Sequence, residues 1–204
     1  MSQLSTSANR VTLVRMVLIP VFLVILLARL PVWGPWLAAA VFTLLAATDV
    51  VDGYLARSRN EVTTFGKFID PLADKLLVTA ALVALVDLDR LPSWIALVII
   101  SRELVVSGLR LVAVAEGRVI AASSFGKVKT VFQIIAIVGF IVKDSALVPQ
   151  YLGERGAAAF GWLAWAVMVA AVVLTILSMI DYFYHARDII TGPWSRGRDR
   201  DAEG

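Results

Sequence analysis

The sequence predicts an all-α integral membrane protein, with six transmembrane helices and a polar metal site at the cytoplasmic side. Three observations lead to this fold class. Of the 204 residues, 59% are hydrophobic and only 17% are charged, which is far more apolar than a soluble domain. Six apolar stretches approach the length of about 20 residues that an α-helix needs to cross a bilayer. Four aspartates stand at the ends of two of these stretches, where an unpartnered carboxylate would be costly.

The six predicted helices follow one another with turn-rich connections on one side. They span residues 11–28, 36–55, 71–86, 94–115, 128–142 and 160–182. Proline, glycine and aspartate residues in the stretches 31–35, 87–92 and 144–156 favour turns there. We interpret the first segment as a mature helix rather than a secretion signal, because no small-residue cleavage site follows it. Residues 1–194 then form one transmembrane domain, and residues 195–204 form a disordered cytoplasmic tail.

The basic residues are distributed unevenly between the two sides of these helices. Of the nineteen Lys and Arg residues, fourteen fall near one set of helix ends and four near the other, while Arg102 lies within the fourth segment. By the positive-inside rule the richer side faces the cytoplasm, and an even number of spans places both termini there with the aspartates. We therefore predict a multi-pass protein of the cell membrane. A net charge of +3 fits a basic rim beside membrane lipids, so we expect no nucleic-acid partner.

The scarcity of cysteine and histidine limits the kinds of metal site and catalytic group that the chain can form. The chain has no cysteine, which excludes a disulfide framework, a thiolate metal site and a cysteine nucleophile. His185 is the only histidine, so neither a His-rich zinc site nor a Ser-His-Asp triad is expected. Any metal ion must therefore be held by oxygen ligands.

Four aspartates form the main candidate site. Asp49 and Asp52 share one face of the second helix through their i, i+3 spacing, and an i, i+4 spacing places Asp70 and Asp74 on one face of the third. Two like-charged pairs brought together would repel each other without a cation between them. Hard oxygen ligands suit Mg²⁺ or Mn²⁺, and two bridged ions would suit phosphoryl chemistry. The alternative is that each aspartate is a helix cap or a solvated rim residue. It accounts less well for four aspartates in two pairs with helical spacing.

Small and basic residues adjoin the first pair of aspartates. Gly53 and Ala56 continue the face that bears this pair, and they leave a backbone-lined surface on which a base or a pyrophosphate could lie. Arg57 can reach a phosphate with its planar guanidinium. For Gly53 and Ala56 the alternative is close helix packing, which small residues commonly serve in membranes.

The spacing of these residues resembles the signature of the CDP-alcohol phosphatidyltransferase family. The pattern Asp-x2-Asp-Gly-x2-Ala-Arg-x8-Gly-x3-Asp-x3-Asp is matched at every defined position between residues 49 and 74, about an eighth of the chain. The resemblance implies that a CDP-linked lipid donates its phosphatidyl group to an alcohol and releases CMP. It also implies that Asp49, Asp52 and Asp70 bind metal, and that Asp74 binds metal and acts as the general base. The residues implied to hold the CDP-lipid are Asp52, Gly53, Ala56, Arg57, Gly66 and Thr12.

Basic residues outside this block indicate the acceptor. The stretches 9–15, 101–110 and 126–133 are similar to phosphatidylglycerophosphate synthases, a subfamily that takes CDP-diacylglycerol and glycerol 3-phosphate. A phosphorylated acceptor is a dianion and needs several cationic donors. The residues we predict to hold its phosphate are Arg110, Lys127 and Arg102. The resemblance further implies a homodimer.

Several alternatives stay open at this point. Arg102 could instead pair with Glu103 and order the bundle, and Lys127 could anchor lipid headgroups. An inositol phosphate acceptor would need the same basic pocket, and cardiolipin-forming relatives take phosphatidylglycerol. An ion-coupled transporter is disfavoured, because the acidic residues crowd toward one end and the helices show no evident breaks or internal repeat.

Overall fold

The computed structural model of the chain is a bundle of α-helices. Its backbone is described at residues 7–28, 30, 32–58, 64–115 and 124–190. Its side chains are described at residues 12–28, 30, 32–48, 72, 73, 75–114 and 128–184. Within the described backbone the elements are α1 (Ser7–Leu27), α2 (Gly34–Ser58), α3 (Thr64–Asp87), α4 (Ser93–Ala115), α5 (Ser124–Val142) and α6 (Leu147–Ile190). The predicted all-α class is confirmed for these residues, whereas the predicted tail at 195–204 lies outside them.

All six helices begin before the predicted residue, and two of them begin much earlier. α3 starts at Thr64 rather than at residue 71, and α6 starts at Leu147 rather than at residue 160. The start of α3 is polar, and hydropathy finds only the apolar part of a helix. The start of α6 is apolar, but its proline and glycine residues are typical of a loop. Pro149 is tolerated in the first turn of α6, because the amide groups there need no partner within the helix.

The early part of α6 is separated from the rest by a break. Gly153 has a φ of 67° and a ψ of 171°, which no residue of a regular α-helix adopts. Glycine enters this region readily because it has no side chain to clash with the backbone. The stretch that the sequence predicted as a loop, 144–156, is therefore mostly helical with a break inside it.

The turn predicted at 87–92 is confirmed. After α3 the chain reverses through Asp89, whose φ of 56° is left-handed, a conformation that Asp tolerates better than most residues. The amide nitrogens of Arg90 and Leu91 donate to the carbonyl oxygen of Leu85 at 2.9 and 3.2 Å. These bonds satisfy one of the last carbonyl groups of the helix and direct the chain into α4.

The apolar core lies along the axis of the bundle. α1 packs on α2 and α3, α5 packs on α2 and α6, and α4 packs on α3 and α6. Phe22 of α1 and Phe42 of α2 have ring centroids 5.6 Å apart, and Phe140 of α5 meets the edge of Trp165 of α6 at 4.9 Å. Contacts of this kind fix how the helices lie against each other.

The outer surface of the bundle is strongly apolar. On α1, Val14, Val17, Val21 and Val24 form an exposed stripe, with Val17 69% exposed. Large apolar side chains are also exposed on the other helices, among them Leu44, Leu76, Val83, Leu97, Leu104, Leu111, Val131, Ile135, Trp162 and Leu163. A surface of this composition is typical of contact with a membrane or with another protein.

One helical stretch of the described chain, Leu147–Tyr184, is long and apolar enough by itself to cross a membrane. Three further apolar stretches are shorter: Thr12–Leu27, Gly34–Thr48 and Val128–Val142. Length and hydropathy alone therefore establish one membrane-span candidate among the described helices.

Candidate active site

The four aspartates lie on two neighbouring helices. Asp49 and Asp52 belong to α2, Asp70 and Asp74 belong to α3, and these helices contact each other as well as α1. Helical geometry at all four positions keeps each pair on one face, as the spacing predicted. Their side chains lie outside those described, and so do the side chains at positions 53, 56, 57 and 66, so the predicted metal and nucleotide contacts stay predictions.

The donor set of the aspartates fits a hard divalent cation. Four carboxylates on adjacent helices supply only oxygen ligands, which Mg²⁺ and Mn²⁺ prefer. Elsewhere among the described side chains, no group of three or more His, Asp or Glu residues is arranged to hold a metal ion. We call residues 49–74, which carry the four aspartates, the aspartate block, and its ligand chemistry makes it the candidate metal centre.

A buried arginine of α1 adjoins the aspartate block. Arg15 is almost fully buried, and its Nε donates to Thr48 Oγ1 at 3.3 Å. Thr48 immediately precedes Asp49, and its hydroxyl donates to the carbonyl oxygen of Leu45 at 2.7 Å. Thr12, which the resemblance assigned to the CDP-lipid, is buried one turn earlier on α1. The structure therefore places a guanidinium of α1 beside the start of the block.

Arg102 is the centre of a polar connection between helices. It is largely buried, and its Nη1 donates to Glu103 Oε1 at 3.2 Å while its Nη2 donates to Ser178 Oγ of α6 at 2.6 Å. The same Glu103 Oε1 forms an ion pair with Lys129 Nζ of α5. The ion pair that the sequence left open as an alternative for Arg102 is thus present. We call Arg102, Glu103, Lys129 and Ser178 the inner clamp.

A small polar cavity lies beside the inner clamp. Its volume is about 30 Å³, which is enough to hold a water molecule. Its lining residues are Ala46, Lys75, Leu77, Val78, Glu103, Lys129, Thr130, Gln133 and Ile134. Ala46 comes one turn before Asp49, Lys75 follows Asp74 directly, and Val78 comes one turn after Asp74. The cavity is therefore bordered by the turns of α2 and α3 next to the aspartates.

One polar atom near this cavity lacks a partner among the described residues. Gln133 is buried, and no described group donates a hydrogen bond to its Oε1. A buried amide oxygen without a donor is costly, because it has left water and gained nothing in return. A bound water or a hydroxyl group of a ligand would satisfy it.

The three predicted acceptor residues differ in their placement. Arg102 belongs to the inner clamp. Arg110 is exposed on α4, seven residues after Glu103, so two helical turns place both residues on the same face. Lys127 lies in the first turn of α5, and its side chain is outside those described.

The structure brings four residues next to the block that were not among the predicted site residues. These are Arg15, Glu103, Lys129 and Gln133. Their signal was present, because each is a charged or amide residue inside an apolar stretch, where such residues are rare. The sequence could not say which of them meet, since their pairing depends on how α1, α4 and α5 pack.

A second polar cluster lies at the opposite end of the bundle. Asp144 accepts from Lys143 Nζ at 2.9 Å and lies 3.5 Å from Arg90 Nε, while Arg90 Nη1 also donates to the carbonyl oxygen of Ile141 at 3.0 Å. We call Arg90, Lys143 and Asp144 the outer clamp. A cavity of about 300 Å³ beside it is lined by Ile25, Leu26, Leu30, Gly34, Pro35, Leu88, Arg90 and Asp144. This larger cavity is remote from the aspartates, which lie toward the other ends of α2 and α3.

Comparison with known proteins gives consistent matches along nearly the whole chain. The sequence model of the CDP-alcohol phosphatidyltransferase family matches residues 5–180. A CDP-diacylglycerol–glycerol-3-phosphate 3-phosphatidyltransferase of Bacillus subtilis is 45% identical over 187 residues, covering 86% of this chain and 92% of the relative. A probable phosphatidylglycerophosphate synthase of Mycobacterium tuberculosis is 39% identical over 197 residues, covering 92% and 85%. The Escherichia coli K12 protein with the same name as the Bacillus relative is 38% identical over 182 residues, covering 86% and 92%.

Proposed function

The chain belongs to the CDP-alcohol phosphatidyltransferase family, and we propose that it transfers the phosphatidyl group of CDP-diacylglycerol to glycerol 3-phosphate, giving phosphatidylglycerophosphate and CMP. The observation that carries this proposal is the complete aspartate block at residues 49–74, set on two adjoining helices beside buried cations of α1, α4 and α5. The names of the relatives support the same donor and acceptor.

The donor would be held by the block. Gly53, Ala56, Arg57 and Gly66 would contact the cytidine diphosphate part together with Asp52, and Thr12 would border it from α1. Asp49, Asp52, Asp70 and Asp74 would hold Mg²⁺ or Mn²⁺, with two ions expected. When bound, such ions neutralise charge on the pyrophosphate and on the departing phosphate. The guanidinium of Arg57 would add to this charge neutralisation by bidentate contact.

The acceptor would be activated by Asp74. An alcohol is a weak nucleophile, so a carboxylate must remove its proton as the oxygen attacks phosphorus. The new bond joins the hydroxyl oxygen of glycerol 3-phosphate to the phosphatidyl phosphorus, and the bond from that phosphorus to the oxygen of CMP breaks. Asp74 takes the proton and CMP carries away the electron pair, so this scheme needs no covalent enzyme intermediate.

The acceptor phosphate would be held by the basic residues. Arg102 and Arg110 of α4 and Lys127 of α5 were predicted for this role, and Lys129 joins them because it faces the cavity beside the block. Several cations around one site suit a phosphate dianion, and a neutral alcohol would make less use of them. An inositol phosphate would suit the same charges, so the acceptor must be tested directly.

We also propose six membrane spans with both termini and the site in the cytoplasm. Each helix has 19 residues or more, which at about 1.5 Å per residue approaches or exceeds the hydrocarbon thickness of about 30 Å. The exposed apolar surface and the basic excess near the aspartate-bearing ends support this arrangement. A homodimer in the cell membrane is part of the same proposal.

The reaction can be tested with purified protein in detergent. CMP release is measured with CDP-diacylglycerol and, in separate reactions, glycerol 3-phosphate, inositol phosphate or phosphatidylglycerol. We expect release with glycerol 3-phosphate. Release with inositol phosphate alone or with phosphatidylglycerol alone would contradict the assigned acceptor, and no release with any of them would contradict phosphatidyl transfer.

Metal dependence is tested in the same assay. Adding EDTA should reduce CMP release to background, because the four carboxylates cannot approach a pyrophosphate without cations between them. Excess Mg²⁺ or Mn²⁺ should restore it. Full activity in the presence of EDTA would contradict the metal centre.

A further inference from the structure

Glu103 differs in kind from the basic residues around it. A carboxylate only accepts hydrogen bonds, so it cannot bind the phosphate of a substrate directly. Yet Glu103 is turned toward the cavity that borders the aspartate block, and its side chain is only 16% exposed. A largely buried carboxylate in this place needs a reason other than contact with the phosphate.

Its contacts supply that reason. Glu103 Oε1 accepts from Arg102 Nη1 and from Lys129 Nζ, so one acidic group fixes a cation of its own helix and a cation of α5. Ser178 Oγ of α6 holds the other end of the same guanidinium at 2.6 Å. The directions of both cations are therefore set by packing and hydrogen bonds between three helices.

Of the two cations, Lys129 depends more on a partner that fixes its orientation. A lysine ammonium is a point charge on a flexible four-carbon stem and can take many rotamers. Lys129 lines the polar cavity with its side chain only 3% exposed, so a partner that holds the ammonium in place removes the entropy cost of ordering it during binding. Two cations against one carboxylate also leave the cluster with one net positive charge, which favours an anion beside it.

We propose that Glu103 is a positioning residue for the acceptor phosphate, an inference that rests on the proposed function. It holds Lys129 and Arg102 in the orientation that attracts the phosphate of glycerol 3-phosphate, and it does not touch the substrate. Its removal should therefore weaken acceptor binding selectively.

The test is a double-mutant cycle of Glu103→Gln and Lys129→Met, read as KM and kcat for each substrate in the CMP-release assay. We expect Glu103→Gln to raise the KM for glycerol 3-phosphate about tenfold while the KM for CDP-diacylglycerol changes less than about twofold. Lys129→Met should have a similar effect. The double variant should be about as impaired as the more impaired single variant, because both changes remove one shared interaction.

Two further variants make the result decisive. Glu103→Asp keeps the charge on a shorter stem and should recover part of the acceptor affinity. Asp144→Asn removes the carboxylate of the outer clamp and serves as the matched control, with both KM values unchanged. If Glu103→Gln does not fold, as judged by size-exclusion chromatography, Glu103→Asp is compared with wild type, and a raised KM for the acceptor alone supports the role.

An unchanged or lowered KM for glycerol 3-phosphate in the Glu103 variants would overturn the proposal. A loss of active protein with both KM values unchanged would also overturn it, since that result indicates a purely structural role. If the wild-type protein uses inositol phosphate instead of glycerol 3-phosphate, the proposed function is wrong. The double-mutant cycle measured with inositol phosphate then still decides the role of Glu103.

Discussion

The inner and outer clamps are built from the same three charges and differ in their surroundings. Each has one carboxylate held by one arginine and one lysine. The carboxylate of the inner clamp, Glu103, is 16% exposed, whereas that of the outer clamp, Asp144, is 43% exposed. The inner clamp joins α4, α5 and α6, while in the outer clamp Arg90 follows α3 and its partners follow α5.

The strength of an ion pair, and so what it can do in the protein, depends on how far water is excluded from it. In water the attraction between charges is weak and screened, so the outer clamp can at most order a surface turn. Away from water the same attraction is much stronger, and each charge left without a partner is costly. Of the two clamps, the inner one adjoins the aspartate block, so we assign a role toward the substrate to its cations alone.

The largest expected contrast concerns catalysis. Asp74→Asn should lower CMP release by about a thousandfold or more, because the amide cannot accept the proton of the acceptor and is a poorer metal ligand. Asp144→Asn makes the same chemical change in the outer clamp and should stay within about twofold of wild type, since it lies far from the reacting groups. Full activity of the Asp74 variant, measured with glycerol 3-phosphate, would contradict its assignment as the general base.

The next contrast concerns stability. Glu103→Gln leaves Arg102 and Lys129 without their shared anion and should lower the free energy of unfolding by about 3 kcal/mol. Asp144→Asn should lower it by less than about 1 kcal/mol, because the Asp144 carboxylate is 43% exposed and Arg90 keeps its hydrogen bond to the carbonyl oxygen of Ile141. Denaturant titration in detergent measures both. Equal losses in the two variants would show that burial does not distinguish the clamps.

The smallest contrast compares the removal of one serine hydroxyl group from each end of the bundle. Ser178→Ala removes the acceptor of a buried guanidinium and should cost about 2 kcal/mol. Ser145 is the matched residue at the other end, where its Oγ accepts from Trp36 Nε1 at 3.1 Å. Ser145→Ala should cost about 1 kcal/mol, because a neutral indole that is partly exposed can bond to water instead. The same unfolding measurement checks the order, and a larger loss for Ser145→Ala would reverse the comparison.

Much of the fold followed from hydropathy, and the errors have a physical cause. The apolar stretches predicted the six helices of the described chain, and the turn at 87–92 was read correctly from its aspartates and proline. The polar start of α3 was missed, because a window that counts apolar residues cannot detect a helix that continues past the apolar region. The start of α6 is apolar and was missed for another reason. Pro149 and Gly153 then resembled a loop, although one begins a helix and the other breaks it.

One part of the candidate site could be predicted from the sequence and another part could not. The aspartate block was visible because its members are close in sequence and share a helical spacing. The inner clamp was not, since Glu103 and Lys129 are 26 residues apart and Arg102 and Ser178 are 76 apart. Such pairs depend on which helices pack together and at what level, and the spacing along one helix carries no information about either.

The break at Gly153 also has a consequence for the length of α6. The residues after it, 154–190, would extend about 55 Å as a straight helix, whereas a bilayer with its headgroups is about 40–45 Å thick. In the proposed orientation the last turns of α6 would therefore extend beyond the headgroups into the cytosol. A reporter attached there would reveal the sidedness of the protein without disturbing the helices that surround the aspartates.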